Sequence, residues 1–110
     1  MPKRKHYKVH WTHAASVDLE SNVDFIARKN VSNALDILTR LRKAAANLKS
    51  FPLRGRVVPE LAGIGVYFYR EVISAPWRVI YRVADVDVYV MMVIDSRRNA
   101  EDLLLERFTR

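Results

Sequence analysis

Cysteine is absent from the 110 residues, which excludes both the disulfide framework of a small secreted protein and any thiolate metal site. Nothing in the chain requires an oxidising compartment. Long apolar runs are missing too: the longest, VYVMMVI at Val88–Ile94, falls far short of the roughly 20 residues that cross a bilayer. The basic start MPKRK leads into polar residues rather than a signal peptide's apolar region, so a cytoplasmic protein without membrane contact is expected. There is no repeat, low-complexity tract or Gly/Ser linker. Residues 1–110 therefore read as one domain, with 1–5 a flexible basic leader, and a chain of this length can bury a core without covalent staples.

Acidic residues are scarce in the middle of the chain, where Arg40, Arg42, Lys43, Lys49, Arg54 and Arg56 follow one another from Ile37 to Pro59 with no acid between them. The net charge is +7 and the sequence pI about 10.1. This balance suits an anionic partner, either nucleic acid or an acidic protein. It equally suits a small domain kept soluble by like charge.

Periodicity supplies the elements. HYKVHW, residues 6 to 11, alternates Tyr7, Val9 and Trp11 with His6, Lys8 and His10, as a half-buried strand does. Thr12 can cap a helix with Ala15, Leu19, Val23, Ile26 and Ala27 on one stripe. Asn30 or Ser32 opens a second, whose Ala34, Ile37, Leu38, Leu41, Ala45 and Leu48 hold helical spacing over four turns. The short link between them implies an antiparallel hairpin. Pro52 and Gly55 end the second helix and begin a loop, FPLRGRVVPELAGIG.

Three strands then follow in sequence order, at residues 66–73, 77–84 and 86–95, with links short enough to make them antiparallel. In the second, Trp77, Val79, Tyr81 and Val83 share a core face, and Arg78, Ile80 and Arg82 share the other. In the third, an unbroken strand puts Val86, Val88, Val90, Met92 and Ile94 on one face, and Asp87, Tyr89, Met91, Val93 and Asp95 on the face of Arg78 and Arg82. Asn99 caps a last helix, AEDLLLERF, with Asp102 closing a capping box. The expected fold is α+β, in the order β-α-α-β-β-β-α. Its helical hairpin covers one face of a mostly antiparallel four-stranded sheet, and the arginine face stays partly open.

Local motifs agree with this order. WTHAASVDL carries Trp11, Thr12, Ala15, Asp18 and Leu19; GRVVPEL carries Gly55, Arg56, Pro59, Glu60 and Leu61; and YREV, PWRVIYRV and SRR follow. Together they resemble the RelE/ParE superfamily of toxins from type II toxin-antitoxin systems over nearly the whole chain after residue 5. Trp77 stands where the family pattern begins its second signature with tyrosine. The resemblance implies a growth-arresting toxin, neutralised by an acidic antitoxin that wraps over it, with no cofactor and no metal.

The superfamily divides into RelE-like toxins, which cleave messenger RNA on the ribosome, and ParE-like toxins, which poison DNA gyrase. RNA cleavage needs a base for the 2′-hydroxyl, cations for the charged transition state and an acid for the leaving oxygen. By resemblance Glu60 is the candidate base, and Arg78 and Arg97 are the transition-state cations. Arg54, Arg56, Arg70, Arg82 and Arg98 are candidates to bind the RNA phosphates. On this reading the protein is a ribosome-dependent endoribonuclease, and Arg78→Ala abolishes toxicity while leaving fold and antitoxin binding intact.

The pattern departs from the ribonucleases in IDSRRNAEDLLL, where they commonly carry a histidine or tyrosine; His6, His10 and His13 all lie at the other end. That departure motivates a second reading, a gyrase inhibitor of the ParE type with no active site, and a third, an inactive homologue that serves as an antitoxin-binding co-repressor. Ordinary structural roles stand beside each candidate residue. Glu60 could salt-bridge within its loop, Arg78 and Arg82 could pair with Glu71, Asp87 or Asp95, and Arg70 with Glu71.

Overall fold

The computed structural model describes residues 6–109; the basic leader at 1–5 lies outside them. The first strand, β1 (Lys8–Trp11), leads into α1 (His13–Ala27) and α2 (Val31–Ala46), and a 3-10 turn at Asn47–Lys49 follows. Thr12 caps α1 by accepting from the Ala15 N–H, and Asn30 caps α2 by accepting from the Asn33 N–H. Each side chain satisfies a backbone donor that the first helical turn leaves free.

The loop after α2 is more ordered than its proline and glycines suggest. It forms a two-residue strand, β2 (Arg56–Val57), and a one-turn helix, α3 (Pro59–Ala62). Pro59 sits at the start of α3, where a missing N–H costs nothing. Next come β3 (Tyr69–Ser74), β4 (Trp77–Ala84) and β5 (Asp87–Asp95), then α4 (Ala100–Phe108) behind its Asn99 cap.

The α+β class and helical hairpin agree with the expectation, but the sheet has five strands, in the order β1-β5-β4-β3-β2. β1 runs parallel to β5, and the other pairs are antiparallel. β3 also starts three residues later than alternation predicts. The Val66 N–H donates to Leu61 O and the Gly65 N–H to Ala62 O, so the end of α3 claims this backbone before the sheet can.

The largest correction is in β5. Pairing with β4 slips at Ile80/Tyr81: Ile80 faces Met92, whereas Tyr81 faces Val90, leaving Met91 as an extra residue. A bulge reverses the alternation beyond it. Val88, Val90 and Val93 therefore share the face under α1 and α2, with Trp77, Val79 and Tyr81. Met92 and Ile94 turn to the opposite face with Ile80.

That opposite face is not open. Val58 and Leu61 from the α3 region and Leu104 from α4 pack on Ile80, Met92 and Ile94, all of them buried. A second link, from α1 to α4, runs through Asp18, whose carboxylate accepts from Arg107 (2.5 and 3.0 Å) and from the Val93 N–H (3.0 Å). Among the described residues no helix is long and apolar enough to cross a membrane.

Candidate functional site

Strand register builds the charged centre of the molecule. Arg56 on β2 lies directly opposite Glu71 on β3, and Ile80 on β4 faces Glu71 from the other side. Arg78, two residues before Ile80, is thus the diagonal neighbour of Glu71 on the same face. α3 follows β2 at once and brings Glu60 above the row.

The result is a linear network of two cations and two anions. Arg56 Nε donates to Glu71 Oε2 at 2.6 Å, and Arg78 Nε donates to Glu71 Oε1 at 2.6 Å. Arg78 Nη1 and Nη2 then donate to the two oxygens of Glu60, both at 2.7 Å. Arg78 is 6% exposed and Glu71 1%. Buried charges persist only when paired and hydrogen-bonded, and here each carboxylate oxygen and each nitrogen of the Arg78 fork has a partner. The Arg78 hydrogen bonds hold the Glu60 carboxyl below the usual range against the opposing effect of burial. The same bond to Glu60 raises Arg78 further, against its own burial.

Beside the network, the buried Tyr81 hydroxyl accepts from the Gly55 N–H at 3.0 Å, and Arg70 Nη1 donates to Gly55 O at 2.8 Å. A Cβ at position 55 would lie 2.4 Å from Glu71 O and 2.7 Å from Tyr81 Oη. Only glycine lets the loop approach this closely. Burial pushes the Tyr81 phenol up.

The sequence-derived candidates divide into two groups. Glu60, Arg78 and Arg56 come together, joined by Glu71, which the sequence offered only as a pairing partner. Arg78 is buried rather than displayed on an open cationic face, because α3 and α4 cover that face. Arg70 is engaged with backbone, and Arg82 stands 5.5 Å from the Phe68 ring centre. Arg54 is exposed in a shallow groove with Arg40 and Lys43.

Arg97 and Arg98 are elsewhere. They line a groove of about 690 Å³ between α1 and α4, shared with Trp77, Asp18 and Arg107 but not with Glu60 or Arg78. Arg97 is exposed and pairs with Asp95 in its own turn, at 2.7 and 2.9 Å. That guanidinium holds the Asp95 carboxyl below its usual range. His10 lies on β1 at the far edge of the sheet from β2, bonded to Asp87 at 2.8 Å and stacked on Tyr89. Among the described residues no three His, Asp or Glu side chains converge as a metal site.

Comparison with known proteins bears on this arrangement. No curated protein matches the chain in sequence. The fold is that of the chromosomal ParDE toxin-antitoxin system from P. aeruginosa, with a TM-score of 0.66 at 16% identity over 82% of this chain and 96% of that one. It is also that of the RelBE2 toxin-antitoxin complex from Mycobacterium tuberculosis, with a TM-score of 0.61 at 23% identity over 86% and 97%. At these identities the likeness concerns the fold. The family model for the ParE toxin of the parDE type II toxin-antitoxin system matches residues 9–100, a span that holds the helical hairpin, the sheet except Lys8 of β1, and the four-charge network. This chain therefore belongs to the ParE toxin family of type II toxin-antitoxin systems.

Proposed function

We propose that this toxin arrests growth by binding its target rather than by cutting RNA, as an inhibitor of DNA gyrase, and that a cognate antitoxin of acidic character neutralises it. The observation that carries the reading is the saturation of Arg78. All three guanidinium nitrogens are engaged with Glu71 and Glu60 at 2.6–2.7 Å. A phosphate could reach that cation only by displacing a bidentate carboxylate from a nearly buried site.

The other parts of a ribonuclease site fare no better. A base for the 2′-hydroxyl works best with a pKa near the operating pH, and Glu60 is shifted the opposite way. Asp95, the carboxyl nearest the C-terminal arginines, is also lowered, which makes it a poor proton donor. Tyr81 is fully buried beneath Gly55, out of reach of a leaving oxygen. A toxin that works by occupancy needs none of these groups, and in it the four charges fix α3 to the sheet.

The antitoxin is supported by the two fold matches, both of them toxin-antitoxin systems, and by the net charge of +7. The deciding experiment treats purified gyrase and relaxed plasmid with the toxin and, in parallel, a defined message on ribosomes. Loss of supercoiling with an intact message is the expected result. Cuts in the message that require both toxin and ribosomes would refute the reading.

A further inference from the structure

Between α3 and β3 the chain reads AGIGVYFY, residues 62 to 69, with no charged residue in a protein that is 28% charged. Its large side chains are not tucked away: Ile64 is 52% exposed, Tyr67 65% and Phe68 57%. The backbone beneath them is held firmly. The Ile64 and Val66 N–H groups donate to Leu61 O and the Gly65 N–H to Ala62 O, and Gly65 takes a φ of 85° that favours glycine. Phe68 packs on Tyr69 at 4.6 Å, and Tyr69 packs on Phe108 of α4 at 4.4 Å.

One cation belongs to this surface. The Arg82 guanidinium stands over the Phe68 ring, and its Nε is buried without an acceptor. Among the described residues it has no hydrogen bond and no ion pair. An exposed apolar patch beside an arginine that has no acidic partner among the described residues has the composition of a protein-interface hot spot. Its fixed backbone lowers the ordering cost of docking.

The kind of partner follows from what the patch lacks. A nucleic-acid strand is tracked by a row of cations, and residues 62–69 offer none. An extended peptide settles into a groove, and Ile64, Tyr67 and Phe68 line neither the groove between α1 and α4 nor those beside α2. Side chains that stand clear of those grooves are covered by a concave partner, and Arg82, with no acid paired to it among the described residues, calls for an anion at its edge.

We infer that residues 62–69 are the surface by which the toxin seats in its target, a folded protein with an apolar pocket edged by a carboxylate that pairs with Arg82. The inference rests on the reading that the toxin acts by binding a protein. Its test is the variant Tyr67→Ala/Phe68→Ala, assayed for growth arrest, for inhibition of gyrase supercoiling and for capture of its cognate antitoxin. The expected result is a loss of inhibition of tenfold or more, with antitoxin binding within threefold of wild type and an unchanged circular-dichroism spectrum. Growth arrest equal to wild type would overturn the inference whatever the target. Parallel loss of inhibition and antitoxin capture would also overturn it, by making the loop a general scaffold or an antitoxin contact. Wild-type growth arrest without gyrase inhibition would instead refute gyrase as the target, and the variant's growth arrest would still judge the loop. Arg82→Gln is expected to weaken inhibition alone, in the same direction and by less.

Discussion

Substituting Arg78 separates a structural cation from a catalytic one. Arg78→Ala leaves Glu71 buried with one partner, Arg56, and leaves Glu60 with none from the network. Breaking a buried ion pair by removing one partner costs about 3–5 kcal/mol. Arg56 still reaches Glu71 at 2.6 Å, so the lower end, about 3 kcal/mol, is the reasonable expectation. For a domain of this size that corresponds to a fall in Tm of roughly 12–24 °C, a large share of a total stability of about 5–15 kcal/mol.

The assay is urea unfolding followed by circular dichroism, read beside growth arrest in cells. A second variant tests the cause. Arg78→Met with Glu71→Leu replaces the buried pair by apolar side chains of similar volume, a change that is often neutral or stabilising. It is expected to recover most of the lost stability and, with it, toxicity. An Arg78→Ala protein with the wild-type unfolding midpoint and no toxicity would refute this reasoning, since the guanidinium would then be serving the target rather than the fold.

Gly55→Ala is expected to destabilise by at least about 1–3 kcal/mol, because the new methyl has only backbone and the Tyr81 hydroxyl to displace; urea midpoints measure it. Tyr81→Phe removes the buried acceptor of the Gly55 N–H and should cost about 1–3 kcal/mol by the same assay. Asp18→Asn weakens the joint of α1, β5 and α4, by about 1–3 kcal/mol for a charge-assisted bond. Faster hydrogen exchange in α4 would report that loss. Acid should unfold the protein through Glu60: its folded pKa is depressed, so its contribution is complete above the unfolded value of 4.5 and is lost as pH falls through the folded value. Urea midpoints from pH 7 down to pH 3 should therefore fall less steeply below pH 4.5 in Glu60→Gln than in wild type.

The two-armed function test matters because RelE-like and ParE-like toxins share the backbone seen here. Of the three residues that suggested cleavage in the sequence, Glu60 and Arg78 are neighbours in space and Arg97 lies elsewhere. In the proposed reading this pairing serves the fold, since each charge neutralises the other.

Local rules were enough for the hairpin and the caps. Thr12 and Asn99 cap the helices they were expected to cap, Asn30 rather than Ser32 caps the second, and the stripe from Ala34 to Leu48 is buried at Ala34, Ile37, Leu41, Ala45 and Leu48. These features depend on side chains within four residues of one another, so the chain by itself determines them. The α+β class followed from the same signals. Three features belong to the tertiary structure. The bulge at Met91 reverses the alternation of β5, and side chains from α1 and α4 hold it, Asp18 accepting from the Val93 N–H and Arg107 donating to Met91 O. β2 and α3 exist because Gly55 lets the loop close on Glu71 and Tyr81. Arg78 is buried because α3 folds back over it with Glu60. In the sequence an arginine in a strand reads as a cation on display; whether it faces solvent or two carboxylates depends on which distant segment covers it, and no periodicity within the strand carries that information.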